Sequence, residues 1–313
     1  MNKRGYIIVL LWLCCPCVAW AQYGPTWHTA ESDSAFRSYQ YSGLWPLAFA
    51  DEFEGSALDT ALWRIVTGVP RDLELNDQKA WHQPENVSVS NGVLRLVSRR
   101  ELKRNMDYPV QWEPFYAEAN TDFDFTTAEI LTYRLFSYGR YEARIRVPRG
   151  KGLWPAFWLF SPNGKMDEID IFEFWNEGKD TSKLASIHHV AVHYDYDSNG
   201  HTEQSTHSYD GHDFYSDYHV FALVYTPLYI RWLVDDKLVY EYPRYKGFFG
   251  RHIDEDNVQW GRRYRENKLF PCHPYYIILN VAIQSYDNAP DDTTPLPSAM
   301  EVDWVRFYEM PRF

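Results

Sequence analysis

The chain has 313 residues, with 43 Asp and Glu against 31 Lys and Arg, a formal charge of −12, and an aromatic share of 18% that includes 13 Trp and 24 Tyr. So acidic a chain excludes nucleic acid and anionic membrane surfaces as partners and suits a neutral or patchily charged ligand. Flat aromatic rings with polar edges fit sugar rings, and equally the core of a large β-sandwich, so composition alone leaves both readings open.

At the N-terminus, Lys3 and Arg4 precede an apolar run from Tyr6 to Val18 and then Ala19-Trp20-Ala21, the order of a secretory signal with a small-x-small cleavage site. The run is too short for a spanning helix, so no membrane insertion is expected. Residues 1–21 read as a signal peptide, cleavage would leave Gln22 first, and the periplasm and the extracellular space are both possible destinations. Cys14, Cys15 and Cys17 follow Leu13, Cys14 and Pro16 rather than the small residues of a lipoprotein signal, so a lipid anchor fits less well. Losing Lys3 and Arg4 takes the formal charge from −12 to −14, and Cys272 remains the one cysteine of the mature chain. No internal disulfide can form, and a core must stabilise residues 22–313, which read as a single domain.

Strand-period patterns run through the mature chain, and no stretch carries an apolar stripe of helical period; the reading is all-β. Val87–Ser90 and Val93–Val97 flank Asn91-Gly92, a two-residue hairpin turn. Residues 101–121, dense in charge and aromatics, read as an insertion bordering a cleft. Tyr141, Ala143, Ile145 and Val147 alternate with Glu142, Arg144 and Arg146, a strand with one buried and one polar face. His219–Tyr225, Tyr229–Val234 and Tyr276–Ile283 read as strands, with Asp235-Asp236 as a turn, and Met300–Tyr308 as the returning last strand. A second insertion, 241–275, contains Gly247, Gly250, Gly261, Pro271 and Pro274.

The chemistry lies in Glu168-Ile169-Asp170-Ile171-Phe172-Glu173, where three acids interrupt a run of β-formers. On a regular strand Glu168 and Asp170 share a face and Glu173 points to the other. A β-bulge at Ile171-Phe172 would return Glu173 to their side, as bulges beside active sites do. Two carboxyls about 5.5 Å apart are the pair a retaining glycosidase needs. Asp170 between them would raise its neighbours' proton affinity. The plainer alternative is a solvated acidic face of an edge strand. His188, His189 and His193 lack the spacing of a zinc site.

These residues resemble glycoside hydrolase family 16, with its Glu-x-Asp-x-x-Glu signature on a bulged strand. Further landmarks run in that family's order: Asp51–Gly55, Pro84–Val87, Tyr138–Arg144, Gly152–Trp158, Tyr218–Phe221 and Val302–Arg306. The resemblance implies a concanavalin A-like jelly-roll β-sandwich with a cleft on its concave face. It implies Glu168 as nucleophile, Asp170 as assisting acid, Glu173 as general acid/base, and a polysaccharide substrate cut internally. Trp154 and Trp158 would lie near the sugar at the cleaved bond, with core packing as the other reading, and Trp175 would stack on another ring. His193 either faces the cleft or is a satisfied structural histidine. No cofactor is required; a structural calcium held by the Gly92 carbonyl and Asp303 is implied by relatives, although one carboxylate and one carbonyl are few for that ion.

Two stretches depart from the pattern of β-1,3-glucan-cutting members: Ser161–Asp167 before the nucleophile and Leu75–Trp81 before Pro84-Glu85-Asn86. β-1,3-Glucan of the laminarin type is the first substrate; β-galactans (agar, porphyran, carrageenan) and host glycans with internal β-galactosides stay open. Arg251, Arg262, Arg263 and Arg265 would suit sulfate groups, or else pair with Asp254, Glu255 and Asp256. Transglycosylation through the same intermediate stays open, and a binding protein without chemistry would be expected to have lost one of the acids. Nothing in the sequence sets the oligomeric state.

Overall fold

Alternation of apolar and polar residues decides both the strands and the faces they present. The computed structural model describes residues 45–68, 80–106, 121–163, 166–176, 187–194, 203–210, 213–247, 264–266, 270–284 and 286–311. The expected signal peptide, Arg251, Arg262 and Arg263 with their acidic neighbours, and residues 75–79 lie outside these. In chain order the strands are β1 (Leu47–Asp51), β2 (Trp63–Ile65), β3 (Ala80–His82), β4 (Val87–Ser90), β5 (Val93–Met106) and β6 (Thr121–Thr127). There follow β7 (Glu129–Thr132), β8 (Gly139–Arg146), β9 (Leu153–Phe160), β10 (Asp167–Glu173), β11 (Ile187–Tyr194) and β12 (Glu203–Asp210). The rest are β13 (His219–Tyr225), β14 (Tyr229–Val234), β15 (Lys237–Pro243), β16 (Tyr245–Gly247), β17 (Tyr264–Glu266), β18 (Tyr276–Ile283) and β19 (Ser298–Glu309). No helix among the described residues is long and apolar enough to cross a membrane.

The strands form two large sheets. A ten-stranded sheet runs β15-β14-β13-β8-β19-β5-β6-β3, with β1 paired to β19 and β4 to β5; a seven-stranded sheet runs β12-β11-β10-β9-β18-β7-β2. Both expected two-residue turns are present: Asn91 and Gly92 have φ of 53° and 73°, and Asp235 and Asp236 have φ of 49° and 61°. Two successive left-handed residues give the turn whose twist matches a hairpin. The sheets face each other across one core. Leu94, Leu96, Tyr141, Ile145, Phe221 and Val302 come from one side, and Phe157, Leu159, Ile169, Phe172, Val192 and Leu279 from the other. Each fully buried side chain of this kind contributes roughly 1.5–3 kcal/mol, so the core supplies what a disulfide would otherwise add.

The alternate residues of the seven-stranded sheet lie on its outer face, and they carry the polar and aromatic groups of interest. Gly152 fixes where that face begins. Its φ is +77°, and a Cβ there would stand 2.4 Å from the Pro290 ring. Its N–H donates to the Asn176 carbonyl at 3.0 Å and its carbonyl accepts from the Gln284 N–H at 2.9 Å, tying the start of β9 to the ends of β10 and β18. Gly152→Ala is expected to lower stability by about 2 kcal/mol or more through combined backbone strain and overpacking. Urea unfolding checks this, and an unchanged midpoint would contradict it.

Both insertions are shorter than the sequence suggests. β5 runs on to Met106 and β6 starts at Thr121, leaving only 107–120 of the first undescribed. The charges that look like a loop are satisfied within the β5–β6 hairpin: Glu101 pairs with Lys103 along β5 at 2.8 Å and accepts from Thr126 Oγ1 on β6 at 2.9 Å. In the second, β15 reaches Pro243 and β16 pairs with β17 at its base.

Candidate active site

The expected bulge is present, and it sets the geometry of the site. Against β11, Glu168 pairs with His193, Asp170 with Ala191 and Glu173 with His189, so one extra residue lies between Asp170 and Glu173. Against β9, Asp170 pairs with Trp158 and Phe172 already with Phe157, which assigns the extra residue to Ile171. Glu168, Asp170 and Glu173 therefore share the outer face, while Ile169, Phe172 and Phe174 point to the core. Two buried donors hold the distorted backbone. Trp232 Nε1 donates to the Asp170 carbonyl at 2.7 Å, and His188 Nε2 to the Ile171 carbonyl at 3.0 Å.

The side chains converge. Ligand-capable atoms of Glu168, Asp170 and His193 lie within 4.8 Å of one another. Asp170, 2% exposed, faces His193 with Oδ2 and Nε2 3.2 Å apart. Burial works against a charged His193, but its close pairing with Asp170, reinforced by the charges of Glu168 and Glu173, raises its pKa to about 9. Burial first, then repulsion from Asp170 and Glu168, raises Glu173 well above the ordinary carboxyl range. His193 and a 2.9 Å hydrogen bond from Trp154 Nε1 act in the opposite direction. The site thus holds one carboxyl that keeps its proton beside carboxylates, the separation of roles that acid/base chemistry requires.

Trp154 and Trp158 both lie on this outer face rather than under the sheet, half-buried. Trp158 Nε1 donates to Asn280 Oδ1 at 2.9 Å, so the ring is fixed. Trp175, expected to stack on a sugar ring, is half-buried and stacked on His189 with centroids 4.2 Å apart and planes 12° from parallel, so one face of its ring is already covered.

Residues 75–305 match the family model described as glycosyl hydrolases family 16. The chain belongs to that family. Family 16 members among its relatives include the glucan endo-1,3-β-glucosidase A1 of Niallia circulans, 25% identical over 84% of this chain. That match takes in 38% of the longer Niallia protein. The β-glucanase of Rhodothermus marinus is 27% identical over 84% of this chain and 85% of its own length. Among solved structures, the endo-β-1,3-glucanase of Pyrococcus furiosus superposes with a TM-score of 0.64 at 29% identity, covering 86% of this chain and 96% of that one. The two packed sheets are the expected jelly-roll sandwich, and the chain is a glycoside hydrolase acting on a β-glycan.

The two residues that the resemblance implies for calcium make a sparse donor set. Asp303 is the extra residue of a bulge in β19 and gives its carboxylate to Arg144 at 2.7 Å. Gly92 offers a single carbonyl in the β4–β5 turn. A guanidinium already on the one carboxylate leaves a donor set far short of the six to eight oxygens calcium takes. These residues do not fit the ion.

The family 16 landmarks do not include Asp167, a buried carboxylate next to the candidate nucleophile. It is 0% exposed and accepts from Tyr275 OH at 2.5 Å, His273 Nδ1 at 2.6 Å and Asn163 Nδ2 at 2.8 Å. It anchors the entrance of β10 to the segment before β18. A sequence signal existed, since Asp167 shares its strand phase with Ile169 and not with Glu168.

Proposed function

We propose that the protein is a secreted, endo-acting, retaining β-glycanase working by double displacement. The observation that supports this is the bulge-driven convergence of Glu168, Asp170 and Glu173 on one face, with Glu173 the proton-retaining member. In the first step a Glu168 oxygen bonds to the anomeric carbon while the glycosidic C–O bond breaks, and the Glu173 proton passes to the departing oxygen. In the second step Glu173 takes a proton from water, the water oxygen bonds to that carbon, and the Glu168 ester is released. Asp170 and its partner His193 position the pair: Asp170 holds the proton on Glu173, and His193 limits how far that affinity rises. Trp154, Trp158 and Trp175 serve as sugar contacts.

β-1,3-Glucan is the polymer in the names of the Niallia and Pyrococcus enzymes and the first substrate to test. A reducing-end assay on laminarin, mixed-linkage glucan, agarose, porphyran, κ-carrageenan and mucin glycans is expected to give activity on one of them, with internal cuts. No release from any would overturn the proposal. A second reading, a β-galactan or host glycan, is favoured by one observation, the apolar recess described below.

The pH dependence follows from the same groups. Glu173 must be protonated for the first step, so kcat/KM should hold through neutral pH and fall as pH rises through its raised pKa. Removing the His193 charge with His193→Gln should move that alkaline limb to higher pH; a limb that stays or moves down would contradict the assignment. For stability the sign is the same: the His193 contribution is complete below about pH 6.5 and lost as pH rises through about 9.

Export is also proposed. Mass spectrometry of the exported protein should find Gln22 at its N-terminus, and an exported chain still beginning at Met1 would refute cleavage.

A further inference from the structure

Beside the carboxylates, the outer face of the seven-stranded sheet changes character. Val66, Leu131 and Ile278 form a small apolar cluster separate from the main core, walled by Trp158, Phe160 and Tyr276. Together they line a recess to which, among the described residues, Arg64 and Glu129 bring the charged groups. The recess is continuous with the site already described, because Trp158 pairs with Asp170 on one side and with Ile278 on the other. At about 4.8 Å per strand, β18 lies roughly 10 Å from β10. A glycan crossing the strands over the acids therefore passes over it.

An apolar floor is a poor match for an unsubstituted sugar edge, whose hydroxyls would lose their water without gaining partners, a cost of about 1–3 kcal/mol each. It suits a group with a methyl and a few polar atoms. Arg64, exposed on β2, supplies donors, and Glu129, at the start of β7, supplies acceptors. Behind Glu129 lies His82, 0% exposed, its Nδ1 3.8 Å from Glu129 Oε2 and neither ring nitrogen hydrogen-bonded. Burial lowers its pKa to about 3, so His82 stays neutral and does not offset the carboxylate's charge.

We propose that this recess is a subsite for an acetamido sugar, seating the methyl of an N-acetyl group on Val66, Leu131 and Ile278, with its N–H to Glu129 and its carbonyl to Arg64. The inference rests on the cleft face being the glycan-binding face, as in the function proposed above, and it selects N-acetylated glycans within that class.

The test uses binding, which is independent of turnover. Glu168→Gln protein is titrated calorimetrically with N-acetyllactosamine, its N-acetylgalactosamine counterpart, and lactose. At least one acetylated disaccharide is expected to bind about tenfold or more tightly than lactose, from one buried methyl and two hydrogen bonds. The two acetylated sugars separate the glucosamine and galactosamine sources. Adding Arg64→Gln, an exposed change that spares folding, or Leu131→Asn in the floor, should reduce that preference to less than about threefold. Equal affinity for lactose, no measurable binding of either acetylated sugar, or a preference that survives Arg64→Gln would each overturn the proposal. Hydrolysis by the unmodified enzyme is read separately, so failure of this subsite and failure of the retaining reading give different results.

Discussion

Glu168→Gln is expected to lower kcat at least about 10⁴-fold while leaving the thermal midpoint within a few degrees of the parent. An amide cannot form the glycosyl ester, and residues that act as one catalytic unit lose most of the rate when one is removed. The fold should tolerate the change because Glu168 is half-buried on the outer face, whereas the strand is held by Ile169 and Phe172 in the core. The substitution also removes one charge that pushes up the Glu173 pKa. Turnover measured on the active polymer beside a melting curve separates the two effects. Activity within about tenfold of the parent would remove Glu168 from the nucleophile's role; lost activity with a collapsed melting curve would show that Glu168 holds the fold.

Glu173→Gln should give a different pattern. A general acid contributes roughly 10²- to 10⁴-fold, and its contribution depends on how much the leaving group needs a proton. On polysaccharide, whose leaving alcohol is a poor one, kcat should fall by that range. On an aryl glycoside with an acidic phenol the first step should be nearly spared, with ester breakdown limiting, because Glu173 is also the base that activates water. The alkaline limb of the pH profile should vanish with it. Equal losses on both substrates, with the limb retained, would place the acid elsewhere. Trp154 supplies a built-in comparison: its indole donates to Glu173 Oε1 at 2.9 Å, and removing that donor should raise the proton affinity of Glu173 further.

Much of this arrangement is legible in the sequence where alternation is strong. β13, β14 and β18 have the bounds that the apolar pattern gives, since each has one face in the core and neighbours on both sides. The bulge is readable because three acids that must act together cannot share a face on a regular strand. Edges are harder to read. β5 continues through Glu101 and Lys103 because an exposed hairpin face tolerates charge, and β3 is three residues beside β6 with no periodicity to show it. Side-chain choices among alternatives are harder still. Trp175 follows an acid/base candidate, yet His189, paired with Glu173 across β11, covers one face of its ring. Asp167 looks like one more member of the acidic run, and only its strand phase assigns it to the interior with Tyr275 and His273. The recess is a property of four strands, β9, β18, β7 and β2, whose contributing residues lie from Val66 to Ile278; no local motif announces it.

The most direct test of the central claim is the configuration of the product at the instant of cutting. Proton NMR of the anomeric region, recorded within the first minutes of reaction on the active polymer and before mutarotation, is predicted to show the new reducing end as the β-anomer. An α-anomer formed first would mean a single displacement by water, and would contradict Glu168 as a covalent nucleophile.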